Sequence, residues 1–235
     1  MGTLFAAFVG VFGAVLGFLV SYLLRPRALR YALRFAAGVM LGVAAFELMP
    51  EAFERGGLWR VLGGVMLGQW FCLILQLVFE RRTGQRGFYA AALCAAAGIA
   101  AHNLPEGLAI GAGCAASVVL GQRLALTILL HDIPEGAGVA LPLRLSGKRA
   151  GTVFLWTVAA GLPTALGAML AQLFGATPGD ATLSIALAFA GGAMLWVTFG
   201  ALLPASEGEP YGLWDAVACI GGLLAGFIAS APTGI

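Results

Sequence analysis

The chain has 235 residues, 60% of them hydrophobic and 10% charged, with a formal net charge of +2 and a mean hydropathy of +0.95. Such a composition excludes a water-soluble globular domain, and 13 basic against 11 acidic residues leave no basic excess that would point to nucleic acid. Repeated apolar runs long enough to cross a hydrocarbon core of about 30 Å make the chain an integral protein of the cell (inner or plasma) membrane, with the lipid bilayer as its partner.

Taken in order, the runs predict an all-α polytopic protein of eight transmembrane helices, at 3–24, 32–53, 60–80, 88–112, 118–143, 150–174, 181–203 and 211–231. Residues 1–235 read as a single transmembrane domain, with no soluble domain, low-complexity tract or long linker. The first run has no Lys or Arg before it and is followed at once by Arg25, Pro26 and Arg27. A signal peptide has a basic start and a shorter apolar core, so this reads as a retained first helix. Alternate loops collect the basic residues: Arg25, Arg27, Arg30 and Arg34, then Arg81, Arg82 and Arg86, then Arg144, Lys148 and Arg149. Only Arg55, Arg60 and Arg123 fall on the other side, so the positive-inside rule predicts both termini extracytoplasmic. The last inner loop, with Glu207 and Glu209 and no base, dissents weakly.

Thirty-five glycines would weaken helices in water, but in lipid small residues let helices approach closely. Gly13/Gly17, Gly38/Gly42, Gly64/Gly68 and Gly222/Gly226 each form a small-xxx-small face. Cys72, Cys94, Cys114 and Cys219 stand singly and read as packing residues. Pro105, Pro134 and Pro163 fall about halfway along the fourth, fifth and sixth helices. A proline there removes a backbone hydrogen bond and frees a carbonyl one turn earlier, so these central helices are expected to kink.

Two of those prolines belong to near-copies of one hexapeptide, His102-Asn103-Leu104-Pro105-Glu106-Gly107 and His131-Asp132-Ile133-Pro134-Glu135-Gly136. Ionisable groups cost about 2.5–3.5 kcal/mol each near the bilayer centre, so a cluster of them there marks an ion site or pathway. Residues three and four apart share a helix face. Antiparallel helices crossing at these hexapeptides therefore offer two imidazoles, three carboxylates and an amide oxygen to one small volume. Imidazole with carboxylate suits Zn²⁺, Fe²⁺ and Mn²⁺, whereas an all-oxygen set favours Ca²⁺ or Mg²⁺. One hexapeptide alone would read as a structural kink; two, with Pro and Gly at matching places, argue for metal. On the second helix Met40, Ala44, Glu47, Glu51 and Glu54 recur every three or four residues as one stripe. Glu47 then belongs to an access path for cations, or else the stripe is a solvated helix end with Arg55 and Arg60 as partners. Glu207, Glu209 and Asp215 face an inner exit or a solvated loop.

At this point the chain resembles the ZIP (Zrt-, Irt-like) family of divalent-metal transporters, and its bacterial GufA-like branch. The resemblance rests on the two hexapeptides, the eight-helix count, the outside termini and the phrase Ala36-Ala37-Gly38-Val39-Met40-Leu41. It implies a binuclear site between the fourth and fifth helices. The first site would use His102, Glu106, His131 and Glu135 with the Met40 sulfur. The second would use Asn103 and Asp132, with Glu106 and Glu135 bridging. It also implies that the first three and last three helices are related by a pseudo-two-fold. Members of that branch place a glutamate on the sixth helix where this chain has Thr164, which puts a second metal in doubt. The loop from Glu80 to Gly87 is short and has no His, so the long His-rich loop of many relatives is missing.

These features predict transport of a divalent transition metal, Zn²⁺ first and Fe²⁺, Mn²⁺ or Cd²⁺ after it, toward the cytoplasm. The metal is cargo and no resident cofactor is expected; a homodimer is compatible with the pattern. The alternatives are a membrane metal sensor and an intramembrane metal-dependent hydrolase. A zinc protease would show His-Glu-x-x-His, which is absent, so no enzyme activity is expected.

Overall fold

A computed structural model of the chain describes residues 2–83, 88–174, 179–205 and 212–230. Arg86, Glu207 and Glu209 lie outside the described residues. The elements are α1 (Gly2–Leu23), α2 (Pro26–Val43), a π-helical turn (Ala44–Leu48), α3 (Met49–Thr83), α4 (Phe88–Ala116), α5 (Val118–Leu145), α6 (Ala150–Phe174), α7 (Asp180–Val197), a second π-helical turn (Thr198–Leu202), α8 (Leu203–Ala205) and α9 (Leu213–Ser230). In hydrocarbon, backbone donors and acceptors must be satisfied within the chain, and an unbroken helix does this for every residue along it.

Among the described residues, six helical segments are long and apolar enough to cross a membrane: 4–23, 28–81, 118–145, 150–173, 180–200 and 213–230. The 54-residue segment Ala28–Arg81 runs through α2 and α3 and is broken at Gly57, where φ is +71°. Only glycine takes that left-handed backbone without penalty, so the chain can turn there. The helical content and these six apolar segments are what an integral membrane protein requires.

Helix pairing follows the glycine faces. α2 packs chiefly on α9, α3 on α7, α4 on α6, and α1 on both α5 and α6. Gly38 and Gly42 lie on the α9 backbone around Cys219 and Leu223, while Gly222 and Gly226 lie on the α2 backbone at Phe35 and Val39. Gly64 and Gly68 meet Ile185, Ala188 and Phe189 of α7. Gly13 and Gly17 meet Asp132, Ile133 and Gly136 of α5. All four small-xxx-small faces expected from sequence are therefore helix contacts, and at each a methyl group would strike the neighbouring chain. All four cysteines are free thiols; the Cys94 thiol donates to the Cys72 carbonyl at 3.4 Å, tying α4 to α3.

The π turn after α2 begins four residues past Met40, and the π turn after α7 begins four residues past Met194. Both methionines are fully buried. Pro105, Pro134 and Pro163 sit inside continuous α4, α5 and α6, and Pro142 is a fourth near the end of α5. The chain stays helical through all of them. Cross-links sort by end of the bundle. At one end Arg144 donates to the Ser21 carbonyl, Lys148 lies over the Tyr89 ring, and Arg30 and Arg34 pair with buried Asp215. At the other, Arg55 reaches Glu51 and Asp180, and Ser230 donates to Glu47.

Candidate metal site

The crossing of α4 and α5 brings both hexapeptides together. His131 Nε2 lies 2.5 Å from Glu106 Oε1, and His102 Nε2 lies 3.0 Å from the same oxygen. Ligand atoms of His102, Glu106 and His131 all fall within 4.8 Å of one another. Glu135 Oε1 is 3.8 Å from His102 Nε2, and the two imidazole rings are 6.0 Å apart, centre to centre. One carboxylate oxygen is thus shared by two imidazoles, with a second carboxylate beside them.

All six polar residues of the two hexapeptides are buried: His102, Asn103, Glu106, His131, Asp132 and Glu135. Their hydrogen bonding falls far short of their capacity. Nδ1 of His102 and of His131, Oε2 of Glu106 and both carboxylate oxygens of Asp132 and Glu135 are enclosed without a hydrogen-bond partner. Buried polar groups in folded proteins are nearly always paired, because each unpaired one costs roughly 1–3 kcal/mol. So many orphaned donors and acceptors in one place fit a site that is completed by a cation, and imidazole with carboxylate is the donor set of a borderline transition metal.

Asn103 and Asp132 occupy equivalent places in the two hexapeptides but do different things. The Asn103 amide donates to the Ala160 carbonyl of α6 at 2.8 Å, while Asp132 lies against Gly13 of α1. With Glu135, Gly10, Ala14, Thr157 and Gly161 they enclose a chamber of about 10 Å³, room for about one water-sized sphere. Thr164 is fully buried and its hydroxyl has no partner; it packs on Gly10 and Gly107. Met40 is fully buried in α2, its sulfur facing Gly138, three residues past Glu135.

The stripe on the second helix grades from core to surface. Met40 and Ala44 are buried, Glu47 and Glu51 half-buried and Glu54 exposed. Glu47 falls inside the first π turn, a feature frequent at functional sites because it re-aims side chains. Glu47, Glu51, Arg55 and Asp180 line a cavity of about 410 Å³ whose inner wall includes His102, Pro105 and Glu106. A route thus runs from the acidic end of the bundle to the buried cluster. Sequence reading did not find Asp180, which lines this cavity, or Ser230, which lies beside Glu47 and Glu51 at its mouth. Their partners are far along the chain, Arg55 being 125 residues from Asp180 and Glu47 183 from Ser230, and no periodicity links such positions.

Residues 80–231 match the ZIP Zinc transporter family, more than half of the chain. The chain belongs to the ZIP family. Among curated relatives, the Zinc transporter ZupT of Escherichia fergusonii is 34% identical over 134 residues, 52% of this chain and 51% of its own length. Those of Salmonella newport and Salmonella typhimurium are likewise 34% identical over 134 residues, with the same shares. This ZIP-family chain thus spans about half the length of the curated relatives it matches.

Proposed function

We propose that the protein carries a divalent transition-metal ion, Zn²⁺ first, across the membrane toward the cytoplasm, and that His102, Glu106, His131 and Glu135 hold it midway. The observation that carries this reading is the set of buried, unpartnered nitrogens and oxygens where α4 and α5 cross, at the inner end of an acid-lined cavity. Membership of a family described as zinc transporters, and relatives named Zinc transporter ZupT, support it.

The cation is drawn to the carboxylates of the mouth, passes Glu51 and Glu47, and exchanges its water for Glu106 and the imidazoles. Glu106 is suited to receive it, having one oxygen between the two rings and the other unpartnered. Binding requires neutral imidazole and ionised carboxylate, so protons compete with metal and protonation on the far side aids release. Asn103 and Asp132 form an adjoining, weaker station, and Met40 is a soft donor on the α2 wall. Motion of one helix group against the other around the site would give alternating access.

The accompanying topology is eight spans in one domain. Splitting 28–81 at Gly57 and adding the 29-residue α4 to the other five segments gives that number. The basic end faces the cytoplasm, which places both termini outside. A hydrolase is disfavoured, since His-Glu-x-x-His is absent and the ZIP relatives are named as transporters.

The test is flux of Zn²⁺, Fe²⁺, Mn²⁺ and Cd²⁺ into proteoliposomes. Wild type is expected to carry Zn²⁺, and His102→Ala and Glu106→Ala to lose at least nine-tenths of that flux while remaining folded in the membrane. Wild-type flux in either variant overturns the ligand assignment, and metal binding without flux in the wild type makes the protein a sensor.

A further inference from the structure

The mouth of the access cavity holds a resident cation, the Arg55 guanidinium. Its Nε and Nη2 donate to Glu51 Oε1 at 3.0 and 2.8 Å, and its Nη1 donates to Asp180 Oδ1 at 3.0 Å. The bridge spans two elements, from the short arm of α3 before Gly57 to the first turn of α7. It is not a chance meeting of surface side chains. Ser184 of α7 is fully buried and donates to the Ala52 carbonyl at 2.7 Å, while Gly56 packs against the same serine. That buried clamp fixes residues 52–56 on α7 and sets Arg55 opposite Asp180.

The chemistry of the wall makes the position matter. The outer part of the cavity is oxygen-only, from Glu47, Glu51 and Asp180, while its inner wall carries His102 and Glu106. Glu106 is nine-tenths buried with Oε2 unpartnered. Carboxylates gathered this closely suit Ca²⁺ and Mg²⁺, which take six or more oxygens and no imidazole. Bound there, a hard cation would stand in the route from the mouth to the imidazoles.

We propose that Arg55 is a specificity residue. As a tethered counter-ion on Glu51 and Asp180 it prevents hard divalent cations from lodging at the mouth, yet yields to a transition metal that is drawn onward to His102 and Glu106. Ion pairs this exposed, with side chains 37%, 45% and 72% accessible for Arg55, Glu51 and Asp180, are weak and readily exchanged. A guanidinium cannot lose its proton, so the guard is present at every working pH. The proposal rests on the transport reading for its consequence, though not for the binding chemistry itself.

The test uses Arg55→Gln, which leaves a shorter polar side chain without the charge, beside Arg55→Lys and, as a control, Arg60→Gln. Arg60 is exposed and donates to the Gly56 carbonyl, outside the proposed bridge. Zn²⁺ uptake into proteoliposomes is measured against rising external Ca²⁺. Arg55→Gln is expected to lower the Ca²⁺ concentration for half-inhibition by roughly fivefold to tenfold, the scale of two weak ion pairs lost. Arg55→Lys should retain most of the protection, and Arg60→Gln should behave as wild type. Unchanged Ca²⁺ sensitivity in Arg55→Gln, or an equal shift in Arg60→Gln, overturns the proposal. Tb³⁺ luminescence of the detergent-solubilised protein, with Tb³⁺ standing in for Ca²⁺, is read in parallel. Tighter Tb³⁺ binding by Arg55→Gln than by wild type is expected, and equal binding overturns the proposal. If wild type carries no Zn²⁺, the transport reading fails while the Tb³⁺ titration still decides whether Arg55 guards the mouth.

Discussion

Glu106 and Thr164 mark the two ends of what single residues do at this site. Glu106 places one oxygen between the nitrogens of His102 and His131, which puts it at the centre of the proposed metal site. Thr164, by contrast, brings only a hydroxyl to the neighbouring wall, where relatives of the kind this chain resembles have a carboxylate. Asn103 and Asp132 alone leave the adjoining chamber short of charge, and the Asn103 amide is already engaged by Ala160. One tightly bound metal per chain is therefore expected by titration calorimetry, rising to two in Thr164→Glu. Wild type with two equally tight sites contradicts this, as does a variant that stays at one. The spacing of the hexapeptides made their convergence on one point legible from sequence, because it needs only helix geometry. The role of Asn103 as a strut to α6 was not, because the Ala160 carbonyl it finds is set by packing.

At the scale of elements, the glycine faces decide which helices touch. Gly38 on α2 lies against the Cys219 carbonyl of α9, and Gly222 on α9 against the Phe35 carbonyl of α2, so backbone meets backbone in both directions. In lipid this close van der Waals contact substitutes for the hydrophobic effect that drives packing in water. Gly38→Val should separate α2 from α9 and cost about 1–3 kcal/mol, the usual penalty of overpacking, seen as a lower thermal midpoint in detergent. Gly63→Val, on α3 where an added Cβ meets nothing within 4 Å, should leave that midpoint unchanged. Equal effects of the two would show that the crossing is not close-packed. The small-xxx-small spacing gave the faces in advance, but not their partners. That Gly64/Gly68 meet α7 and Gly38/Gly42 meet α9 is decided by packing across the bundle. The π turns were likewise invisible, since a one-residue bulge leaves little trace in an apolar run.

Across the whole molecule, charge is sorted by end. Arg25, Arg30, Arg144, Lys148 and Arg149 lie toward one end with Asp215, while Glu47, Glu51, Glu54 and Asp180 gather at the other around the cavity mouth. If the basic end is cytoplasmic, a cysteine at Arg149, which is exposed in the turn before α6, should resist an impermeant thiol reagent in intact cells. A cysteine at exposed Glu54 should react readily. The opposite pattern would reverse the orientation and the direction of transport inferred from it.

The amino-acid sequence by itself determined that this is a helical membrane protein with an imidazole and carboxylate cluster, because hydropathy, helical period and motif spacing are local properties. Even the gradient from Met40 to Glu54 could be read along one helix face. Only the tertiary structure decided that Glu106 is shared by both histidines, that Asp132 lies against Gly13, and that Arg55 bridges Glu51 to Asp180. Each of these joins residues on different helices, and the choice among the many helix pairings compatible with the same apolar pattern is made by close packing across the bundle.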